Sequence, residues 1–437
     1  MLAAEESAPP VPLWRGLLSR PLGPPILAAG GFFLLGMRQT FTVPLTFGLS
    51  LGQFLLYIGA GLWALTSTHQ TRSGTVNRWL TVALLGYLTA SLLSYGAAMN
   101  RGTTTGGIMF GDRYIFADIA LTAMVVAIIA MVTTTARIAL ILKGLLLGGT
   151  LSATFAIVRL FAGVDLAPYF ILPGLKSSDF VLVTNLAREG IDRPQGSAGH
   201  PLELAGVLTV LIPLGLAVIA HARARGERTW PWLACTGLVM CGAMVTVSRS
   251  AIIGLAAAVL VMAWRWSIRR FAVILVMGTL AVGVGLLMQL NVVAAILQSF
   301  ANVSNDSSIS SRSFGAAYVM THYRDHFWLG QGAGMYPAYN QPVLDNQYLS
   351  RLMETGAFGL ISFITLIIVA LLLALRASAS TDPILAEFAG AVSGSLAALA
   401  VISTILDVSG FAQMWTVTWI LIALSVVVWR LGRSREH

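Results

Sequence analysis

Charge is what this 437-residue chain has least of: only 10% of its residues are Asp, Glu, Lys or Arg, where soluble domains carry roughly 25%. With 57% of residues hydrophobic, the polar complement is too small to clothe a water-exposed globule. That excludes an ordinary cytoplasmic enzyme and points to a bilayer as solvent. Cysteine is nearly absent. The two present, Cys235 and Cys241, share one apolar run, which leaves neither a disulfide framework nor a metal-ligand spacing. A secretory leader is also missing from the pattern. Glu5 and Glu6 stand where positive charge is needed, and Pro9, Pro10 and Pro12 precede Trp14 and Arg15. The net charge of +9 would suggest nucleic acid in a soluble protein; here no nucleic-acid partner is expected, and the charge becomes a question of sidedness.

Apolar runs, by contrast, are plentiful. From Pro24 onward twelve alternate with polar punctuation, at about 22–37, 43–65, 79–99, 114–134, 138–162, 201–220, 230–247, 250–266, 271–293, 347–375, 384–406 and 411–430. Several approach the roughly 20 residues that cross about 30 Å of hydrocarbon. If the N-terminus is cytoplasmic, the short basic loops His221 to Arg228 and Arg265 to Arg270 and the tail after Arg430 share one side with Arg15, Arg20, Arg72, Arg78, Arg137 and Arg376. The positive-inside rule then puts both termini in the cytoplasm. The expected fold class is an all-α polytopic membrane protein with about twelve transmembrane helices and two long extracytoplasmic loops. Its parts are a cytoplasmic tail (1–21), N-terminal transmembrane helices (22–162), a first long outer loop (163–200), central helices (201–293), a second long outer loop (294–346), C-terminal helices (347–430) and a cytoplasmic tail (431–437). Long loops usually carry function or are disordered, so sizeable loops on one side only place the work on the outer face.

Ionisable residues in or beside spans are functional candidates by default. Asp118, Arg159, Glu203, Arg249, Glu354 and Asp407 all fall within about two turns of the outer end of an expected span. This distribution favours a cavity opening at the outer leaflet over the midplane site of a transporter. Three clusters stand out. In Ser248-Arg249-Ser250 a tight polar break holds an arginine at the membrane boundary, where a guanidinium reaches phosphate in bidentate fashion; headgroup snorkelling is the plainer account. In Arg193-Pro194-Gln195-Gly196 through His200-Pro201 to Glu203, Arg193 and His200 flank a turn that opens a helix, and a structural histidine is the plainer account. In the third, Trp328-Leu329-Gly330-Gln331-Gly332-Ala333-Gly334 reads as a flexible loop that brings Asp345 to the border of water and hydrocarbon, ahead of Asn346, Tyr348 and Glu354. Partial desolvation there makes Asp345 a stronger base, and a helix cap is its competing role. Between the last two clusters, Asn302 to Ser308 reads as mobile. Ser310 or Ser311 would then cap a helix from Arg312 to about His326, with Phe314 and Tyr318 on one face, against either the membrane surface or neighbouring loop residues.

Taken in order, Arg193-Pro-Gln-Gly196 with His200-Pro201, Ser248-Arg249-Ser250, Ser311-Arg312, Trp328-Leu-Gly330-Gln-Gly332, Asp345-Asn346-Gln-Tyr348-Leu349 and Glu354-Thr355-Gly356 resemble the O-antigen ligase and polymerase superfamily. The resemblance covers about residues 190–360. It implies a helical fold like that of type C glycosyltransferases and a metal-independent, inverting transfer without cofactor. The donor would be a glycan on a polyprenyl diphosphate carrier, and the acceptor a glycan or lipid. Arg249 and Arg312 would hold the diphosphate, with Arg193 as a further candidate. Asp345 and His200 are candidates for removing the acceptor proton, and Glu203, Asn346 and Tyr348 for substrate binding. Ligases of this family carry histidine where this chain has Asp345, which tilts the expectation towards a polymerase in the bacterial cytoplasmic membrane. Chain length would be set by the enzyme or by a regulatory partner. A ligase is the near alternative. A flippase is the distant one, though no internal symmetry is visible in the loop positions.

Overall fold

The computed structural model describes residues 22–433 except 47, 67–76, 103–104, 178–186, 189–190, 270, 273–274, 277–278, 281–286, 288–290, 302–306 and 337–340. Outside the described residues lie the tail 1–21 with Arg15 and Arg20, then Arg72, Arg270, the stretch 302–306, and much of the ninth expected span. Eleven of the twelve expected spans correspond to helices. These are α1 (Gly23–Gly36), α2 (Leu51–Thr66), α3 (Arg78–Asn100), α4 (Thr105–Met131), α5 (Thr135–Ala162), α6 (Pro201–Ala224), α7 (Trp230–Val245) and α8 (Arg249–Ala263), followed beyond the loops by α11 (Gln347–Ala377), α12 (Pro383–Ile402) and α13 (Ala412–Arg433). Two further helices, α9 (Asn291–Ala301) and α10 (Ser307–His322), belong to the second long loop. Among the described residues seven helices are long and apolar enough to cross a membrane on their own: α3 to α6 and α11 to α13. The protein is thus a mostly helical, multi-pass membrane protein. Among the described residues two short antiparallel pairs involve the first long loop: Phe41–Thr42, from between α1 and α2, with Lys176–Ser177, and Ala187–Arg188 with Ile191–Asp192.

Two seams show how the bundle closes. Gly144 and Gly148 of α5 lie one turn apart, and a methyl group at either would stand 2.2 Å from the Ala28 carbonyl oxygen or 2.4 Å from that of Phe32 in α1. Small residues one turn apart permit this backbone-to-backbone approach, the usual basis of tight packing between apolar helices. α6 and α13 are buried nearly all round, with Trp419 at the centre of the core. A helix that is apolar on every side has to be enclosed by its neighbours.

Polar contacts collect at the two ends of the bundle. At one end Arg430 of α13 donates to the Ile129 and Val132 carbonyls (2.8 and 2.7 Å), and Arg137 donates to that of Met131 (2.7 Å). They satisfy the last carbonyls of α4, which lack partners inside the helix. At the opposite end Arg38 pairs with Asp165 at 2.9 Å, and Arg159 pairs with Asp165 and Asp192 at 3.6 and 3.2 Å.

Two sequence expectations are corrected. α4 begins at Thr105, well before the expected residue 114, so Asp118 sits at the middle of its helix rather than near an end. There it accepts from Ser91 (2.9 Å) and Tyr87 (3.2 Å) of α3. α10 begins at Ser307 and ends at His322, with a separate 3-10 turn over Tyr323–His326, in place of one helix from Arg312. Its Phe314 is exposed, while Tyr318, one turn on, stacks on His322 at 4.1 Å and packs with loop residues, the second of the two settings expected for this face.

Candidate active site

The first residues of α11 are woven into the turn between α12 and α13. Asn346 caps the helix: its Oδ1 accepts from the amides of Tyr348 (2.9 Å) and Leu349 (3.2 Å), and its Nδ2 donates to the Thr404 carbonyl at 3.0 Å. The Gln347 amide donates to the carbonyls of Ser403 and Leu406, and its side-chain Oε1 accepts from the Ser409 amide at 2.6 Å. Asp345 is therefore held one residue ahead of a firmly tied cap. Facing it from α10 is Arg312, with Nε 3.7 Å from Asp345 Oδ2. The pair lines a cavity of about 260 Å³ together with Ser313, Leu344, Asn346, Leu349 and Thr404. Burial pushes the Asp345 carboxyl above its usual range; Arg312 pulls it back down and Asp407 pushes it up. A half-buried carboxylate with one nearby guanidinium is a group that can take a proton and has a cation to compensate its charge.

The second polar centre is the break between α7 and α8. Val247 there has φ 47°, a left-handed conformation a β-branched residue seldom takes, and such positions concentrate at functional sites. Arg193 Nε donates to the Thr246 carbonyl at 2.7 Å, three residues before Arg249. Arg249 Nη1 donates to the Ser299 carbonyl of α9 at 2.8 Å. His200 caps α6, its Nδ1 accepting from the Leu202 amide at 3.0 Å, and its ring lies 5.7 Å from that of Phe411. Burial, and then the charge of Arg193, push this imidazole down to about 4. The structure thus brings Arg312, Asp345 and Asn346 together around one cavity, and Arg193 and Arg249 together around the break, with His200 beside Arg193.

The two centres lie in one layer. Gly206 of α6 and Gly254 of α8 both press on Ile402 of α12. From that level His200 and Arg249 are six and five residues further toward the same end, roughly 9 and 7.5 Å above it at 1.5 Å per residue, and Thr404 lies in the turn that follows α12 at that end.

Two sequence candidates fall elsewhere. Glu203 is fully buried, and its oxygens accept from Gln39 Nε2 (2.6 Å), the Gly199 amide (2.9 Å) and the Gln413 amide (2.9 Å). It ties three distant segments together and has no face left for substrate. The Tyr348 hydroxyl donates to the Ala400 carbonyl at 2.9 Å, which commits it to the α11–α12 seam.

One residue escaped sequence reasoning. Arg351, fully buried in α11, has its guanidinium carbon 5.1 Å from the ring centre of Tyr114, 5.4 Å from Trp415, 5.8 Å from Tyr87 and 6.0 Å from Phe363. A cation among aromatic faces is stabilised by their quadrupoles. Its position inside an apolar run was the available signal. The glycine-rich loop also differs from expectation. α11 breaks at Gly356 (φ 69°), and residues 327–332 bind the broken ends: the Gln331 and Gly332 amides donate to the carbonyls of Met353 and Glu354, while those of Ala357 and Phe358 donate to the carbonyls of Phe327 and Trp328. The segment is a docked plug in a helix break.

Residues 234–364 match the model of a family described as O-antigen ligase. The matched segment runs from α7 through the α7–α8 break, α10 and the mouth of α11; Arg193, His200 and Glu203 lie before it. This match bears out the resemblance to the O-antigen ligase and polymerase superfamily, a family whose description implies glycan transfer. No curated protein matches the chain.

Proposed function

We propose that this protein polymerises polyprenyl-diphosphate-linked oligosaccharide repeat units at the outer face of the bacterial cytoplasmic membrane. The observation that carries this reading is the Arg312–Asp345 pair lining one cavity at the mouth of α11, inside the segment that matches the family. An acceptor hydroxyl in that cavity attacks the anomeric carbon of the donor sugar, and its proton passes to Asp345. The bond from that carbon to the diphosphate oxygen breaks with inversion, and the diphosphate departs on its carrier lipid. Arg312, with Arg249 and Arg193 at the same end of the bundle, would offset the charge that develops on the leaving group. Oriented donors of this kind contribute about 3–4 kcal/mol each in other enzymes. His200 serves as the helix cap next to Arg193, and Asp345 is the base.

The test is incubation of purified protein with a defined lipid-linked repeat unit. A ladder of carrier-bound products is expected, and a single modified acceptor would make the protein a ligase, the activity its matching family is described by. Asp345→Asn is expected to lower the rate by about 10²–10⁴. Unchanged turnover in that variant removes Asp345 as the base.

A further inference from the structure

Both arginines of the α7–α8 break rest on carbonyls at helix ends. Arg193 holds that of Thr246, the C-cap of α7, and Arg249 holds that of Ser299, in the last turn of α9. A cation beside the C-terminal carbonyls of a helix is favoured. α9 is two-faced: Ala295 and Ser299, one turn apart, are buried, while Leu297 and Phe300 are exposed. It packs on α7 and α8, the two helices that meet at the break.

We propose that α9 is an autoinhibitory latch, its Ser299 carbonyl occupying the Arg249 nitrogen that a diphosphate headgroup takes when it enters, so that donor binding frees α9 from the break. The inference rests on the diphosphate reading of Arg249. It adds a cost of entry that a neutral carbonyl sets and a charged oxygen overcomes, because the carbonyl offers the guanidinium only a dipole, whereas a diphosphate offers it full opposite charge and oxygens that can take two N–H groups at once. Arg249 would then serve in turn as a latch and as a clamp. Substrate would open its own site, and an empty site would stay covered by an amphipathic helix.

The experiment uses full-length protein with Cys235 and Cys241 changed to alanine and Ser299→Cys as the reporter, labelled by a water-soluble maleimide. Ser299 is 2% exposed, so labelling at rest is slow. Inorganic pyrophosphate is expected to speed it severalfold. Arg249→Ala is expected to speed it as much without pyrophosphate and to abolish the pyrophosphate effect. In parallel, Ser395→Cys, fully buried where α12 meets α6, stays unlabelled throughout. Slow labelling of Ser299→Cys in both arms overturns the latch. Labelling of both positions overturns it too, because the loosening is then global. Acceleration in Arg249→Ala alone keeps Arg249 as the latch but refutes the headgroup as its release, and the diphosphate reading falls with it.

Discussion

At Asp345 three influences compete, and their signs make the residue testable. Burial raises its pKa, Arg312 lowers it and Asp407 raises it. A base works only when deprotonated, so the acidic limb of the pH–rate profile should lie above the roughly 3.9 of a free aspartate. Arg312→Gln removes the lowering influence and should move that limb to higher pH, a shift read directly from initial rates across pH. His200 offers a contrast. Its Nδ1 does the work of an N-cap and its pKa is depressed to about 4, so His200→Asn should keep both fold and activity. His200→Ala should lose about 0.5–2 kcal/mol of stability by thermal or denaturant unfolding. Residue types and their order along the chain were enough to nominate Arg249, Arg312 and Asp345. They were not enough to sort Glu203 or Tyr348, because whether a polar group is already satisfied depends on partners such as Gln39, Gln413 and Ala400 that lie far away in sequence.

Among the elements, the broken α11 has the most exacting geometry. Gly330 and Gly356 cross so closely that a methyl on the first would stand 2.2 Å from the Glu354 carbonyl oxygen, and on the second 2.4 Å from Trp328 backbone. Both have positive φ, which side-chain-bearing residues adopt at a cost. Gly356→Ala should therefore destabilise by more than the roughly 1 kcal/mol of an ordinary helical Gly–Ala difference, seen as a lower unfolding temperature and reduced transfer activity. Hydropathy found this helix, since a break of one residue hardly dents a long apolar run. It did not find the plug: alternating glycines advertise conformational freedom, whereas the hydrogen bonds that fix them come from Met353 and Glu354, across the second long loop's boundary. The early start of α4 was hidden for a similar reason. Thr105-Gly106-Gly107 reads as a stop, yet Gly111 packs against Met335 and continues the helix outward.

For the molecule as a whole, polar contacts mark the two ends of the bundle. Arg137, Arg430, Lys143 and Glu227 bond at one end, and Arg38, Arg101, Asn346 and Gln347 at the other. If the first of these ends is cytoplasmic, a membrane-impermeant thiol reagent added to intact cells should label Asp325→Cys and leave Arg225→Cys untouched until the membrane is opened. The reverse pattern would invert the topology and with it the side on which glycan is assembled. Periodicity and charge bias reach this scale easily because the bilayer imposes them on every span. Which helices touch is decided by shape, as where Gly144 and Gly148 admit α1, and no count of apolar residues encodes it.

The knot at the mouth of α11 also bears on how the protein is made. Thr404, whose carbonyl holds Asn346 and which walls the cavity, and Gln413, whose amide reaches Glu203, both follow Arg193, Arg249 and Arg312 in the sequence. A nascent polypeptide emerging from the ribosome has every arginine of the site in hand long before these residues appear, so catalytic competence should arrive abruptly with the α12–α13 hairpin. Chains stalled upstream of Thr404 should insert in the membrane and yet remain inert.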